Sequence, residues 1–143
     1  MLTFVAGPSG SGKTNWLIQK ANEELQAGNG HIAFVDSDDS HIFSLDHSIR
    51  LADANQFGIK NVDQLFGFLG GIISRDFDME KIYLDGLYQI VELKENFKLL
   101  QELLQQLSKD HSVDIFMGLD FIPPADQLDK DAEVIELTSE DAQ

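Results

Sequence analysis

Gly7-Pro8-Ser9-Gly10-Ser11-Gly12-Lys13-Thr14 is the stretch on which the reading of this chain turns. It follows the apolar run Leu-Thr-Phe-Val-Ala at residues 2–6, which predicts a buried strand. After it, Leu17, Ile18, Ala21 and Leu25 fall on one helical face, with Gly28 and Gly30 as the stop. Glycines let successive backbone N–H groups turn inward with no Cβ in the way, and a helix starting near Lys13 adds the positive end of its dipole. Strand, glycine loop and helix in this order predict a nest for an anion.

Downstream, residues 31–36 (His-Ile-Ala-Phe-Val-Asp) predict a second strand, ended by the polar cluster Ser37, Asp38, Asp39 and Ser40. Residues 41–60 are the least legible; Ile49, Leu51 and Ala52 favour a brief extended piece over a poor helix. Asn61 and Gln64 resemble a capping box, and Val62, Leu65, Phe66, Leu69, Ile72 and Ile73 then recur at helical spacing. Gly67, Gly70 and Gly71 weaken that helix by about 1 kcal/mol each against Ala, which predicts close packing on a sheet as compensation. Ile82, Tyr83 and Leu84, ending in Asp85 and Gly86, form a third strand. Phe97, Leu100, Leu103, Leu104 and Leu107 make an apolar helical stripe, with Glu95, Lys98, Gln101, Glu102, Gln105 and Gln106 opposite. Residues 113–119 and 132–137 are the last strands, separated by a break at Pro123 and Pro124.

Strands alternating with helices predict an α/β three-layer sandwich with a mainly parallel sheet of about five strands. One domain spans residues 1–137, and 138–143 form a short acidic tail. Such sheets bind ligands at the carboxyl ends of their strands, which brings Gly7, Asp36, Asp85 and Asp120 to one rim. The 143 residues carry 25 Asp and Glu against 10 Lys and Arg, a formal charge of -15, so nothing electrostatic favours a phosphate backbone and nucleic acid is not an expected partner. Ten of the acidic residues lie in 110–143 beside one basic residue, Lys130; that third is either a solvated rim or a docking surface for a basic protein partner. Cysteine is absent, which excludes disulfides and thiolate zinc sites and suits a reducing compartment. No apolar run approaches the length of a membrane span and no basic leader precedes residue 2, so the expectation is a cytoplasmic protein without membrane association.

The octapeptide matches G-x-x-x-x-G-K-[ST] in full and is identified as a Walker A loop, the mark of P-loop NTPases. That resemblance implies that Gly7, Pro8, Ser9, Gly10, Ser11 and Gly12 wrap the phosphates of a nucleotide. Lys13 would reach the β and γ phosphates and Thr14 would ligate Mg2+. Ile82-Tyr83-Leu84-Asp85 resembles a Walker B strand, whose carboxylate supports the Mg2+ shell; Asp36 ends a strand equally well, and a purely structural Asp85 is the third option. A strand between the two motifs is similar to the P-loop ATPases that insert one strand between the Walker A and Walker B strands. Residues 32–38 look like the second core strand of RecA-type ATPases, in which an acidic residue two positions after the strand-ending Asp activates water. On this match it is Asp38, where RecA proteins carry Glu; Asp39 could serve instead, or residues 37–40 could simply cap a turn.

Neither an N-K-x-D guanine signature nor a D-x-x-G switch follows the loop, so ATP is favoured over GTP. Small kinases close an arginine-bearing lid, whereas Arg50 and Arg75 are the only arginines here and read as surface residues. Leu119-Asp120-Phe121 resembles a segment of the thymidine kinase family, which normally carries the cysteine zinc site this chain lacks. His31, His41, His47 and His111 show no metal spacing, and Trp16 and Phe97 read as core. The expectation is an ATP-binding protein with a RecA-like core and Mg2+-dependent hydrolysis. The alternatives are a nucleoside-type small-molecule kinase and a nucleotide-gated interaction module; the oligomeric state is open.

Overall fold

Apolar side chains at nearly every position of a strand require cover on both faces of the sheet, and the chain meets that demand with helices on either side. A computed structural model describes residues 1–28, 30–38 and 40–139. Among them, six strands form one all-parallel sheet: β1 (Leu2–Ala6), β2 (His31–Asp36), β3 (Arg50–Asp53), β4 (Met79–Asp85), β5 (Asp114–Leu119) and β6 (Ala132–Glu136), in the order β3-β2-β4-β5-β1-β6. The expected count of about five was one short. Residues 50–53 do make a strand, at the edge, where a short element needs only one partner. β5 separates β1 from β4, the one-strand insertion that the spacing of the two motifs implied.

Alternate side chains of each strand enter different cores. Val5, Ile32, Phe34 and Tyr83 pack with Leu17, Ile18 and Ala21 of helix α1 (Lys13–Gln26). Leu2, Phe4, Ala33, Val35, Ile82, Leu84, Ile115 and Met117 pack on the other face with α2 (Val62–Ser74) and α3 (Phe97–His111). The result is three layers. Tyr83 stacks on Phe116 at 4.7 Å and on Phe34 at 6.2 Å, while Phe97 meets Phe4 at 5.1 Å; such ring pairs add about 0.5–1.5 kcal/mol each beyond area burial. Phe97 is fully buried and Trp16 packs against the α1 core, as expected of both.

One expectation needs correction. A Cβ on Gly67, Gly70 or Gly71 would meet nothing within 4 Å, so these glycines of α2 do not pack closely on the sheet. Gly67 and Gly71 instead border an apolar groove with Phe68, Ile72, Leu51 and Ala52, beside the edge strand. The polar side of α3 is partly covered by another segment of the chain. Gln101 and Gln105 are buried; Gln101 donates to the Gln127 carbonyl (2.8 Å) and accepts from Asp129 N (2.9 Å), and Gln105 donates to Asp131 (3.0 Å). The proline-broken connection from β5 to β6 lies over this side of the helix, and the glutamine amides replace the water its backbone would otherwise need.

Candidate functional site

Parallel register alone brings four loops to one edge. Asp36 and Asp85 are register partners at the ends of β2 and β4, and Gly7 N donates to the Leu119 carbonyl at 3.1 Å, at the end of β5. Gly7, Asp36, Asp85 and Asp120 thus share the rim expected of them.

The 7–14 loop needs glycine for two reasons, a close approach at Gly7 and a left-handed backbone at Gly10 and Gly12. A Cβ on Gly7 would sit 2.5 Å from the Leu137 carbonyl oxygen and 2.6 Å from Ser11 Oγ. Gly10 and Gly12 have φ of 82° and 92°, the left-handed region that other residues rarely adopt. Gly12 is the N-cap of α1 and supplies no side-chain cap, and the first turn of α1 holds no acidic residue. The free N–H groups of that turn are left for another acceptor, in a helix whose dipole is positive at this end.

Lys13 folds back across the loop. Its Nζ donates to the carbonyls of Gly7 (2.6 Å) and Pro8 (3.0 Å) and lies 5.6 Å from the centre of the Tyr88 ring. Burial pulls its ammonium below the usual lysine value, against the pull of Asp120 and Asp85. Thr14 Oγ1 donates to Asp85 Oδ2 at 2.9 Å, joining residues far apart in sequence. Asp85 is 2% exposed and its Oδ1 has no hydrogen-bond partner; burial first and then neighbouring Asp36 push its carboxyl above the usual range, although the Thr14 bond, His41 and Lys13 pull the other way. Ser11 Oγ is also buried and without a partner.

Ser9, Gly10, Gly12, Lys13 and Thr14 line a cavity of about 390 Å³ together with His41, Tyr88 and Gln89. A scan against protein-family models and a search of curated proteins both find no match for this chain.

Asp38 stands apart from this cavity. It is exposed, its carboxylate accepts from Ser40 N (2.8 Å), and the Ser40 side chain first and this backbone bond second hold it below the usual carboxylate range. That is the turn-capping arrangement; the alternative residue, Asp39, and the last four residues of the acidic tail, 140–143, lie outside the described residues. Arg50 and Arg75 line the groove between β3 and α2 and not the loop's cavity, and Arg50 is exposed as expected, 3.6 Å from Asp76.

His41 has neighbours that its sequence spacing does not show. Its Nδ1 lies 3.0 Å from Asp36 Oδ2, and a ligand atom from each of Asp36, His41 and Asp85 falls within 4.8 Å of the others. Sequence spacing could not reveal this, because the three come from two strands and a loop. Tyr88 and Gln89 were also missed. They follow Asp85 on a single 3-10 turn, Leu87–Gln89, so the strand-end rule that selected Asp85 would have reached them if carried past Gly86. Gly86 has φ 68°, and a Cβ there would sit 2.7 Å from Ser37 Oγ; this tight approach turns the chain back toward the loop.

Proposed function

We propose that this chain is a P-loop protein that binds Mg-ATP through residues 7–14 and hydrolyses it. The observation that carries the proposal is the 2.9 Å hydrogen bond between Thr14 and Asp85, the two side chains that the Walker A and Walker B resemblances independently assign to the same cation. The sheet order, with β5 between β1 and β4, supports a P-loop class with one strand inserted between the Walker A and Walker B strands, to which the RecA-like reading belongs.

The donor set fits Mg2+, a cation that takes oxygen ligands: a hydroxyl and a buried carboxylate with an unpartnered oxygen, Asp85 Oδ1. Thr14 and Asp85 would hold the ion, which when bound neutralises charge on the β and γ phosphates. The chain's own residues do the rest. Backbone N–H groups of the loop and of the first turn of α1 orient the phosphates. Lys13 leaves the Gly7 and Pro8 carbonyls to pair with phosphate oxygens, and Tyr88 screens the ammonium from solvent. Asp38 is the proposed acceptor of the attacking water's proton, following the resemblance of residues 32–38. Its exposure and its bond to Ser40 favour a second reading, a nucleotide-gated interaction module that binds ATP with little turnover.

Phosphate release tests the proposal. Asp85→Asn keeps size and hydrogen-bonding capacity while removing charge, so hydrolysis is expected to fall more than ATP affinity does. Greater damage from Asp36→Asn would transfer the cation role to Asp36, and no phosphate release from the wild type would leave the module reading in place.

A further inference from the structure

Asp36 and Asp85 end neighbouring strands in register, and each is 2% exposed. Two carboxylates placed side by side out of water are costly unless a cation compensates them. Nearby positive charge is scant. Lys13 Nζ is engaged by the Gly7 and Pro8 carbonyls, and the third member of the group, His41, supplies at most one charge when protonated. Asp85 Oδ1 is buried with no hydrogen-bond partner, an unmet acceptor on a residue that groups with a second carboxylate, Asp36, and an imidazole, His41.

We propose that Asp36, His41 and Asp85 form a three-ligand site for a divalent transition cation, of the Mn2+, Co2+ or Zn2+ type, that is occupied without nucleotide. Imidazole suits these ions, whereas Mg2+ takes oxygen ligands and keeps much of its water. Three ligand atoms about 2.0–2.2 Å from one ion lie roughly 3.3–3.8 Å apart, so the observed grouping within 4.8 Å needs a closure of at most about 1 to 1.5 Å. The two carboxylates sit on rigid strand ends, and His41 begins the 3-10 turn Ile42–Ser44, leaving the remaining coordination positions open to water or to a ligand in the adjoining cavity. The comparable group at the other end of the sheet, His31, Asp76 and Asp78, lacks such an unmet acceptor. There Asp76 accepts from Asp78 N, bonds His31 Nδ1 at 2.6 Å and lies 3.6 Å from Arg50.

The site shares Asp85 with the nucleotide reading but does not depend on it, so the test is run without nucleotide. Mn2+ is titrated calorimetrically into the full chain in excess Mg2+, which occupies carboxylate-only surface sites. The wild type is expected to take up one Mn2+, and His41→Ala and Asp36→Asn are each expected to weaken that binding about ten-fold or more, while His31→Ala leaves it unchanged. Asp36→Asn keeps its size and relieves the buried carboxylate pair, so it remains informative if His41→Ala fails to fold. Mn2+ uptake that is abolished by excess Mg2+, or that is the same in Asp36→Asn as in wild type, overturns the proposal, as does loss in His31→Ala.

Discussion

Asp85 carries opposing demands. Its charge serves the proposed cation, yet burial and Asp36 raise its carboxyl above the ordinary value, so the fold prefers it protonated. The sign follows from linkage: the stability this group contributes is fully present below the unfolded carboxyl value and is lost as pH rises through the raised folded one. Asp85→Asn is therefore expected to stabilise the metal-free protein by roughly 0.5–2 kcal/mol at neutral pH, with the gain shrinking as pH falls through that window. Urea denaturation across the acid range measures it. Asp38→Asn separates two jobs at another carboxylate, because an amide oxygen can still accept from Ser40 N while no longer taking a proton. As the proposed base, its loss lowers kcat by about 10² with ATP affinity little changed, and Asp38→Glu preserves or raises turnover. Unchanged kcat in Asp38→Asn assigns the residue to the turn alone. At this scale the glycine backbone of the 7–14 loop and the helix start at Lys13 were legible, because both are written in consecutive residues. His41 and Tyr88 were not, because their place beside the loop depends on which loops the sheet brings together.

Helices α2 and α3 show how far an element can be read from pattern. The Asn61 cap was correctly seen: its side chain accepts from Gln64 N at 2.8 Å, though Gln64 reciprocates to Lys60 N (2.7 Å) and not to Asn61 itself. The glycines were misread, since a residue costly to helix propensity was given a packing reason it does not have. Gly67 and Gly71 take helical backbone values with open space where a Cβ would go. Gly67→Ala and Gly71→Ala are each expected to stabilise the protein by about 0.5–1 kcal/mol, read from thermal or urea denaturation. Loss of stability in both would mean that the groove beside β3 narrows more than a methyl group allows. The edge strand β3 was only half legible, because four residues offer too few alternations to separate strand from irregular chain. The buried glutamines of α3 were hidden for a different reason: periodicity marks polarity, not whether water or another segment satisfies it.

For the molecule as a whole, the parallel sheet follows from the alternation of apolar runs, and with it the rim where the loop, Asp36, Asp85 and Asp120 meet. No described helix is long and apolar enough to cross a membrane. Part of the acidity of the C-terminal third is used internally, Asp114 by Lys81 at 3.0 Å and Asp131 by Lys109 at 2.6 Å, while Asp120 bears on Lys13 across the site. A net charge of -15 repels nucleotides in general, so the proposed binding of ATP has to come from local geometry at the loop. Calorimetric titration of Mg-ATP into the wild type and Lys13→Ala tests this most directly. The account predicts saturable binding by the wild type and a loss of ~1.5 to 3 kcal/mol in the variant, roughly ten-fold or more in affinity. Equal affinity in a folded Lys13→Ala, or no binding by the wild type, would contradict it.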